Sequence, residues 1–313
     1  MDTPNDQAHI PVLLSSVLEL ATIRPGMSVV DATLGGGGYT LALLEAVGPQ
    51  GRVMAFDWDE QAIESFLKKI PSIAQRALEE KRLILVHGSY STLREVMAQN
   101  NWQGAHVIVA DLGLSSIQLD DPTRGLSFQN DGPLDMRLNS QETITAADII
   151  NTWSEESLGE LFRVYADEGE SERIARAIVL ARKKQPLLRT GELADLVRSN
   201  VAIARRRAKI HPATKVFQAL RMAVNSEREH LQSFLRQGLE QLFPAGKFLV
   251  VTFHSGEDIL VKQIFRELSQ GGQAVLLTKK PLQPNQEEIA ANPRSRSAKL
   301  RGIQKLVSNE ESR

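Results

Sequence analysis

Asp31-Ala32-Thr33-Leu34-Gly35-Gly36-Gly37 is the stretch of this chain with the clearest chemical use. An acid followed by glycines lets a ligand lie against bare backbone, because glycine has no Cβ and tolerates positive φ. Two ligand classes use such a loop after a strand. A dinucleotide needs G-x-G-x-x-G, whose third glycine lets the helix close on the strand. Counted from Gly35 that position is Thr40, and from Gly36 it is Leu41, so the pattern fails in both registers. What stands is close to D-x-[G/T]-x-G-x-G, a loop that receives the amino-acid end of S-adenosylmethionine (SAM), a ligand without phosphate. Asp57 lies nineteen residues after Gly38, where a carboxylate suits ribose hydroxyls. Tyr90, in Gly88-Ser89-Tyr90, sets an aromatic for an adenine, and Asp111 follows a fourth apolar run, where it would lie beside the transferable methyl.

These residues need a scaffold that brings successive strand ends together. Apolar runs at Ser28–Ala32, Arg52–Asp57, Leu83–Val86 and Val107–Asp111 alternate with helical patterns at Thr40–Val47 and Glu60–Lys69. That alternation predicts an α/β fold, a doubly wound Rossmann-like parallel sheet covered on both faces. Strand pattern returns at Phe248–Phe253 and Ala274–Leu277. Between them, no stretch from about Asp120 to Asn225 reads as a strand. Thr145, Ser154 and Thr190 read as helix N-caps, and a long helix starts near His211-Pro212. The expected organisation is a SAM-binding α/β domain over 1–120 and 226–313, with an inserted helical domain over 121–225.

Charge points to the class of partner. The net charge of −1 hides eleven Lys/Arg against two acids between Arg182 and Arg221, and seven against two between Lys279 and Lys305. The rest of the chain carries the compensating acids. A basic face on an acidic body suits a phosphate-rich partner. With no cysteine, thiolate nucleophiles and disulfides are excluded. No run of eighteen apolar residues is present, and the start lacks a basic, apolar signal pattern. The expectation is a cytoplasmic protein with no membrane partner.

Longer blocks go further. Asp111-Leu112-Gly113-Leu114-Ser115-Ser116-Ile117-Gln118-Leu119-Asp120 is accompanied by His9-Ile10-Pro11-Val12, Arg124-Gly125-Leu126-Ser127-Phe128, Asp131-Gly132-Pro133-Leu134-Asp135-Met136-Arg137, His211-Pro212-Ala213-Thr214, Phe253-His254-Ser255 and Asn292-Pro293-Arg294-Ser295-Arg296-Ser297. In order and across the chain, they resemble the bacterial RsmH/MraW methyltransferases. The resemblance implies SAM-dependent methylation of the exocyclic N4 of a cytidine in the decoding centre of 16S ribosomal RNA, within the small ribosomal subunit. It leaves a homodimer open. It places the cofactor contacts on Gly37, Gly38, Tyr39, Asp57, Tyr90, Asp111 and Gln118. Tyr39 stands where the family usually has His, Tyr90 where Phe is common, and Gly256 replaces a frequent Leu.

Asp111 is the first catalytic candidate and His254, at a strand end, the second, as base or base-edge reader. Asp135 and Arg137 are candidates for contact with a flipped base or its phosphate, and Arg205, Arg206, Arg207, Arg294 and Arg296 for RNA phosphates. Lys209, Lys299 and Arg301 join the phosphate candidates. No metal is required, because the sulfonium is already an electrophile. His9 is read as a tether, His87 and His106 as structural, and His230 as solvated; Trp58 is a cofactor-edge candidate, Trp102 and Trp153 packing. A SAM-binding RNA assembly factor stays open. A DNA amino-methyltransferase is disfavoured, because Leu112–Ser116 lacks a Pro-Pro-aromatic loop.

Overall fold

The computed structural model describes residues 11–307; His9 and its family block's first two residues lie outside them. The chain divides into two compact units, residues 1–113 with 229–313, and residues 114–228. The division falls after Gly113 and Arg228, where the sequence pattern suggests Asp120 and Asn225.

The first unit is built on a seven-stranded sheet. Its strands are β1 (Ser28–Asp31), β2 (Arg52–Asp57), β3 (Leu83–His87), β4 (Ala105–Asp111), β5 (Leu242–Thr252), β6 (Ala274–Leu276) and β7 (Lys299–Lys305), in the order β3-β2-β1-β4-β5-β7-β6. The strands β1 to β5 run parallel, and β7 pairs antiparallel with both β5 and β6. The pleat sorts neighbouring side chains to opposite faces. Val29, Val53, Val107 and Leu249 enter one apolar layer, and Val30, Met54, Ile108 and Phe248 the other. This two-sided burial is why the strands read as unbroken apolar runs.

β7 gives two of the expected phosphate contacts, Lys299 and Arg301, a structural partner. Arg301 is buried and gives its guanidinium to Asp258, through Nε to Oδ1 at 2.6 Å and Nη2 to Oδ2 at 3.2 Å. Lys299 Nζ donates to the same carboxylate at 3.0 Å. Burial alone would raise the Asp258 pKa, but these two cations bring it below the usual carboxylate range. Both cations therefore hold the sheet. At Gly302 a Cβ would come within 2.7 Å of the Leu249 side chain, which would have to shift to admit it.

The second unit is helical, and its β pairing among the described residues is one isolated bridge, Pro133 to Arg189. Helices Ala146–Thr152, Glu155–Ala166, Ser171–Arg182, Thr190–Ser199 and Ala213–Val224 surround a core that includes Leu158, Phe162, Ile174, Leu193, Val216 and Leu220. Thr145 and Ser154 cap their helices through side-chain oxygens. Thr190 is instead the first helical residue; its hydroxyl accepts the Gly132 N–H at 2.9 Å. No helix among the described residues is long and apolar enough to cross a membrane.

Candidate active site

The glycine loop is stitched to the strands on either side. Asp31 is wholly buried; its Oδ2 accepts the Thr40 hydroxyl at 2.6 Å and its Oδ1 the Thr33 N–H at 3.1 Å. Thr33 Oγ1 accepts the Asp111 N–H at 2.7 Å, tying the loop to the end of β4. On the other side Leu34 N–H donates to Phe56 O at 2.6 Å, and Gly35 N–H to Asp57 Oδ2 at 2.8 Å. Gly37 has φ +81°, and a Cβ there would lie 2.3 Å from the Phe66 ring, so only glycine fits. At Gly35 and Gly36 a Cβ would meet nothing within 4 Å. The loop thus presents bare backbone to open space.

Three carboxyls end adjacent strands: Asp57 on β2, Asp31 on β1 and Asp111 on β4. Asp57 already accepts backbone N–H groups from Gly35 and, at 2.8 Å, Asp59, and each oxygen keeps a lone pair for a hydroxyl. Burial raises its pKa to about 6 against those bonds. Burial likewise lifts Asp31 to about 7, opposed by Thr40 and Thr33. Asp111 is lifted to about 8 by burial; the Gly113 N–H opposes the shift, and the charges of Asp31 and Glu257 add to it. Its Oδ1 is buried with no hydrogen bond among the described residues.

Such a row of desolvated acids favours a ligand bearing positive charge. SAM carries a sulfonium and an ammonium against one carboxylate, and the residues fit it: Asp57 would meet the ribose, the glycine loop the amino-acid end and Asp111 the cationic centre. Binding should release protons, so SAM affinity is expected to rise between about pH 6 and about pH 8. S-adenosylhomocysteine, lacking the sulfonium charge, should show a shallower rise. Calorimetry at several pH values checks this; equal slopes for the two ligands would detach the acids from the sulfonium.

The other expected cofactor residues are placed differently. Gly38 opens helix Gly38–Val47. Tyr39 is packed in the core with its hydroxyl donating to the Val12 carbonyl, so its side chain is not available to a ligand. Tyr90 opens a 3-10 turn, its ring tilted on Phe234 at 4.8 Å. Trp58 meets His230 edge-on at 4.4 Å, and His230 Nδ1 lies 2.7 Å from Ser91 Oγ and 3.1 Å from Ser89 Oγ. His230 is therefore a partly buried member of the unit and not the solvated residue its charged helix suggested. Gln118 belongs to the second unit, where its Oε1 accepts the Ser115 N–H at 3.0 Å.

His254 is the N-cap of helix Ser255–Gln270, so Gly256 sits in a regular first turn. His254 Nδ1 accepts the Glu257 N–H at 3.3 Å. That bond leaves the ring proton on Nε2, making the outer nitrogen a donor and removing it as a ready base. Glu257, which sequence reasoning missed, is buried and accepts the Phe253 N–H at 2.9 Å. A His cap gives none of the usual Ser/Thr/Asp signal for such a box.

In the second unit the candidate RNA residues separate into held and free cations. Asp135 and Arg137 form an ion pair at 2.7 Å, with Arg137 Nη1 also donating to Glu142 O at 2.7 Å. Arg205 is engaged by the buried Glu168, with Nη2 to Oε2 at 3.0 Å. Arg206 donates to the Val201 and Ser199 carbonyls at 3.0 and 2.6 Å. Both guanidiniums thus help hold the unit together, a structural role beside the phosphate contact expected of them. Arg207 and Lys209 are exposed, with no side-chain hydrogen bond or ion pair among the described residues. In the first unit, Arg294 and Arg296 are exposed on a 3-10 turn.

A Rossmann-like sheet with a SAM-type glycine loop and acids at successive strand ends defines a SAM-dependent methyltransferase. Residues 6–306 match the model of the MraW methylase family, and the chain belongs to that family. It is 44% identical to a ribosomal RNA small subunit methyltransferase H from Thermomicrobium roseum, over 98% of this chain and 96% of that one. The protein of the same name from Syntrophobacter fumaroxidans is 42% identical, over 95% and 96%. That from Syntrophotalea carbinolica is 41% identical, over 95% and 98%.

Proposed function

We propose that this chain transfers the SAM methyl to the exocyclic N4 of a cytidine in the decoding centre of 16S ribosomal RNA. The observation that carries the reading is the buried, unbonded Oδ1 of Asp111 at the end of β4, beside the glycine loop. The relatives' shared name supports the RNA class. When bound, SAM supplies an electrophilic methyl, the N4 lone pair forming the new N–C bond as the S–C pair returns to sulfur. A cytosine amine is a weak nucleophile because its lone pair is delocalised into the ring. Asp111 Oδ1 accepts one amino hydrogen, orients the lone pair and then takes the proton that N4 must lose. Burial favours a proton on Asp111, while the cationic ligand beside it favours the ionised form before transfer; once methyl transfer removes the sulfonium charge, the carboxylate regains its affinity for the proton that N4 gives up. Asp57 and the loop backbone fix the methyl donor. The base must leave its stack to reach the strand ends, so the substrate is single-stranded or splayed RNA.

Arg207 and Lys209 supply backbone attraction from the second unit. Replacing both by Ala should leave SAM affinity and melting temperature unchanged. RNA affinity should fall, with the salt slope of log K shrinking by about 0.7 for each phosphate no longer neutralised. Filter binding at several salt concentrations checks this; an unchanged slope removes the two residues from the RNA surface. The function itself is tested by supplying methyl-labelled SAM with naked 16S RNA, isolated small subunits or intact ribosomes. Label in the 16S RNA of at least one is expected, and label in none defeats the proposal.

A further inference from the structure

Two buried side-chain polar atoms lack a hydrogen bond among the described residues: Asp111 Oδ1 and His254 Nε2. Buried polar atoms in folded proteins are nearly always bonded, so an exception calls for a reason. Both lie at the same edge of neighbouring strands. Asp111 ends β4 in register with Val251 of β5, and His254 follows three residues later. Phe253 packs so closely on Gly113 that a Cβ there would lie 2.7 Å from its ring. Glu257, next to His254, is near enough for its charge to act on Asp111.

The two atoms differ in kind. An ionised Asp111 Oδ1 can only accept. His254 Nε2 donates, because Nδ1 already accepts the Glu257 N–H. Glu257 Oε1 lies 3.0 Å from Nε2 but off the direction a hydrogen bond requires, so the ring N–H stays available. An acceptor and a donor at the same edge of neighbouring strands match a nucleobase edge with a donor beside an acceptor. Cytosine offers that edge as its N4–H and N3. Uracil offers O4 and N3–H, which opposes both atoms. Adenine repeats the cytosine order on a larger ring, so the pair selects by hydrogen bonds and the surrounding space by size.

Resting on the function proposed above, we infer that Asp111 Oδ1 and His254 Nε2–H read the N4–H and N3 of the target cytosine together, making His254 a specificity residue rather than a base. His254→Asn tests this, because Asn retains the N-cap while deleting the outer ring donor. The matching change in the RNA is 3-deazacytidine at the target, which deletes N3. Each change alone should lower kcat/KM by about 10- to 100-fold, the size of one base-edge interaction. Combined, they should lose no more than the larger single loss, because both remove one bond. SAM affinity should be unchanged throughout. Losses that multiply, or a variant as active as the wild type on cytidine, would overturn the inference. If the variant does not fold, wild-type rates on the two RNAs decide, and equal rates overturn it. A wild-type enzyme that methylates no cytidine N4 refutes the underlying function instead.

Discussion

Asp111→Asn is expected to fold, bind RNA and lose about 100-fold or more in methyl transfer. Asn preserves size and the backbone bond from Asp111 N–H to Thr33, but it removes the charge that orients the amine and receives its proton. The same change should raise the melting temperature of the free protein above neutral pH. A buried carboxyl lifted to about 8 has its neutral form favoured in the folded state, so its contribution to stability is present at low pH and lost as pH rises toward that value. Asn carries no such penalty. Single-turnover methylation beside melting curves at pH about 5 and about 8 reads both effects. A wild-type rate in a folded variant would remove Asp111 from the chemistry.

Arg205→Ala should cost the second unit about 3 kcal/mol, the low end for breaking a buried ion pair, since Arg205 is itself 33% exposed. Its partner Glu168 has no exposed side-chain area, and Glu170 adds a contact at 3.7 Å. Removing the guanidinium leaves a buried carboxylate without its main counter-charge. Although burial pushes the Glu168 pKa up, Arg205 and the Glu170 N–H bring it below the ordinary value, and that balance is lost. Adding Glu168→Gln to the variant should recover part of the loss. Chemical denaturation measures this, and an unchanged midpoint would mean that the pair contributes nothing.

Arg205 also shows where sequence alone stops. In Arg205-Arg206-Arg207 three identical side chains have three environments, set by Glu168, by the carbonyls ending helix Thr190–Ser199, and by solvent. Nothing local distinguishes them, because Glu168 is thirty-seven residues away. β7 was hidden for a related reason: Lys299 and Arg301 read as phosphate contacts until Asp258 is placed beside them. The glycine loop and the places of Asp31, Asp57 and Asp111 were legible because each follows directly on an apolar run that forms a strand. Tyr39 shows the limit of that logic, since a residue inside the motif can still turn its side chain into the core.

The central claim is that the methyl arrives on a cytosine amine. The direct measurement is to digest methyl-labelled 16S RNA to nucleosides after reaction with the wild-type protein and identify the labelled nucleoside by mass spectrometry. N4-methylcytidine at a single decoding-centre position, absent with Asp111→Asn, is the predicted result. Label on a ring carbon, on a ribose hydroxyl or on another base would contradict the account.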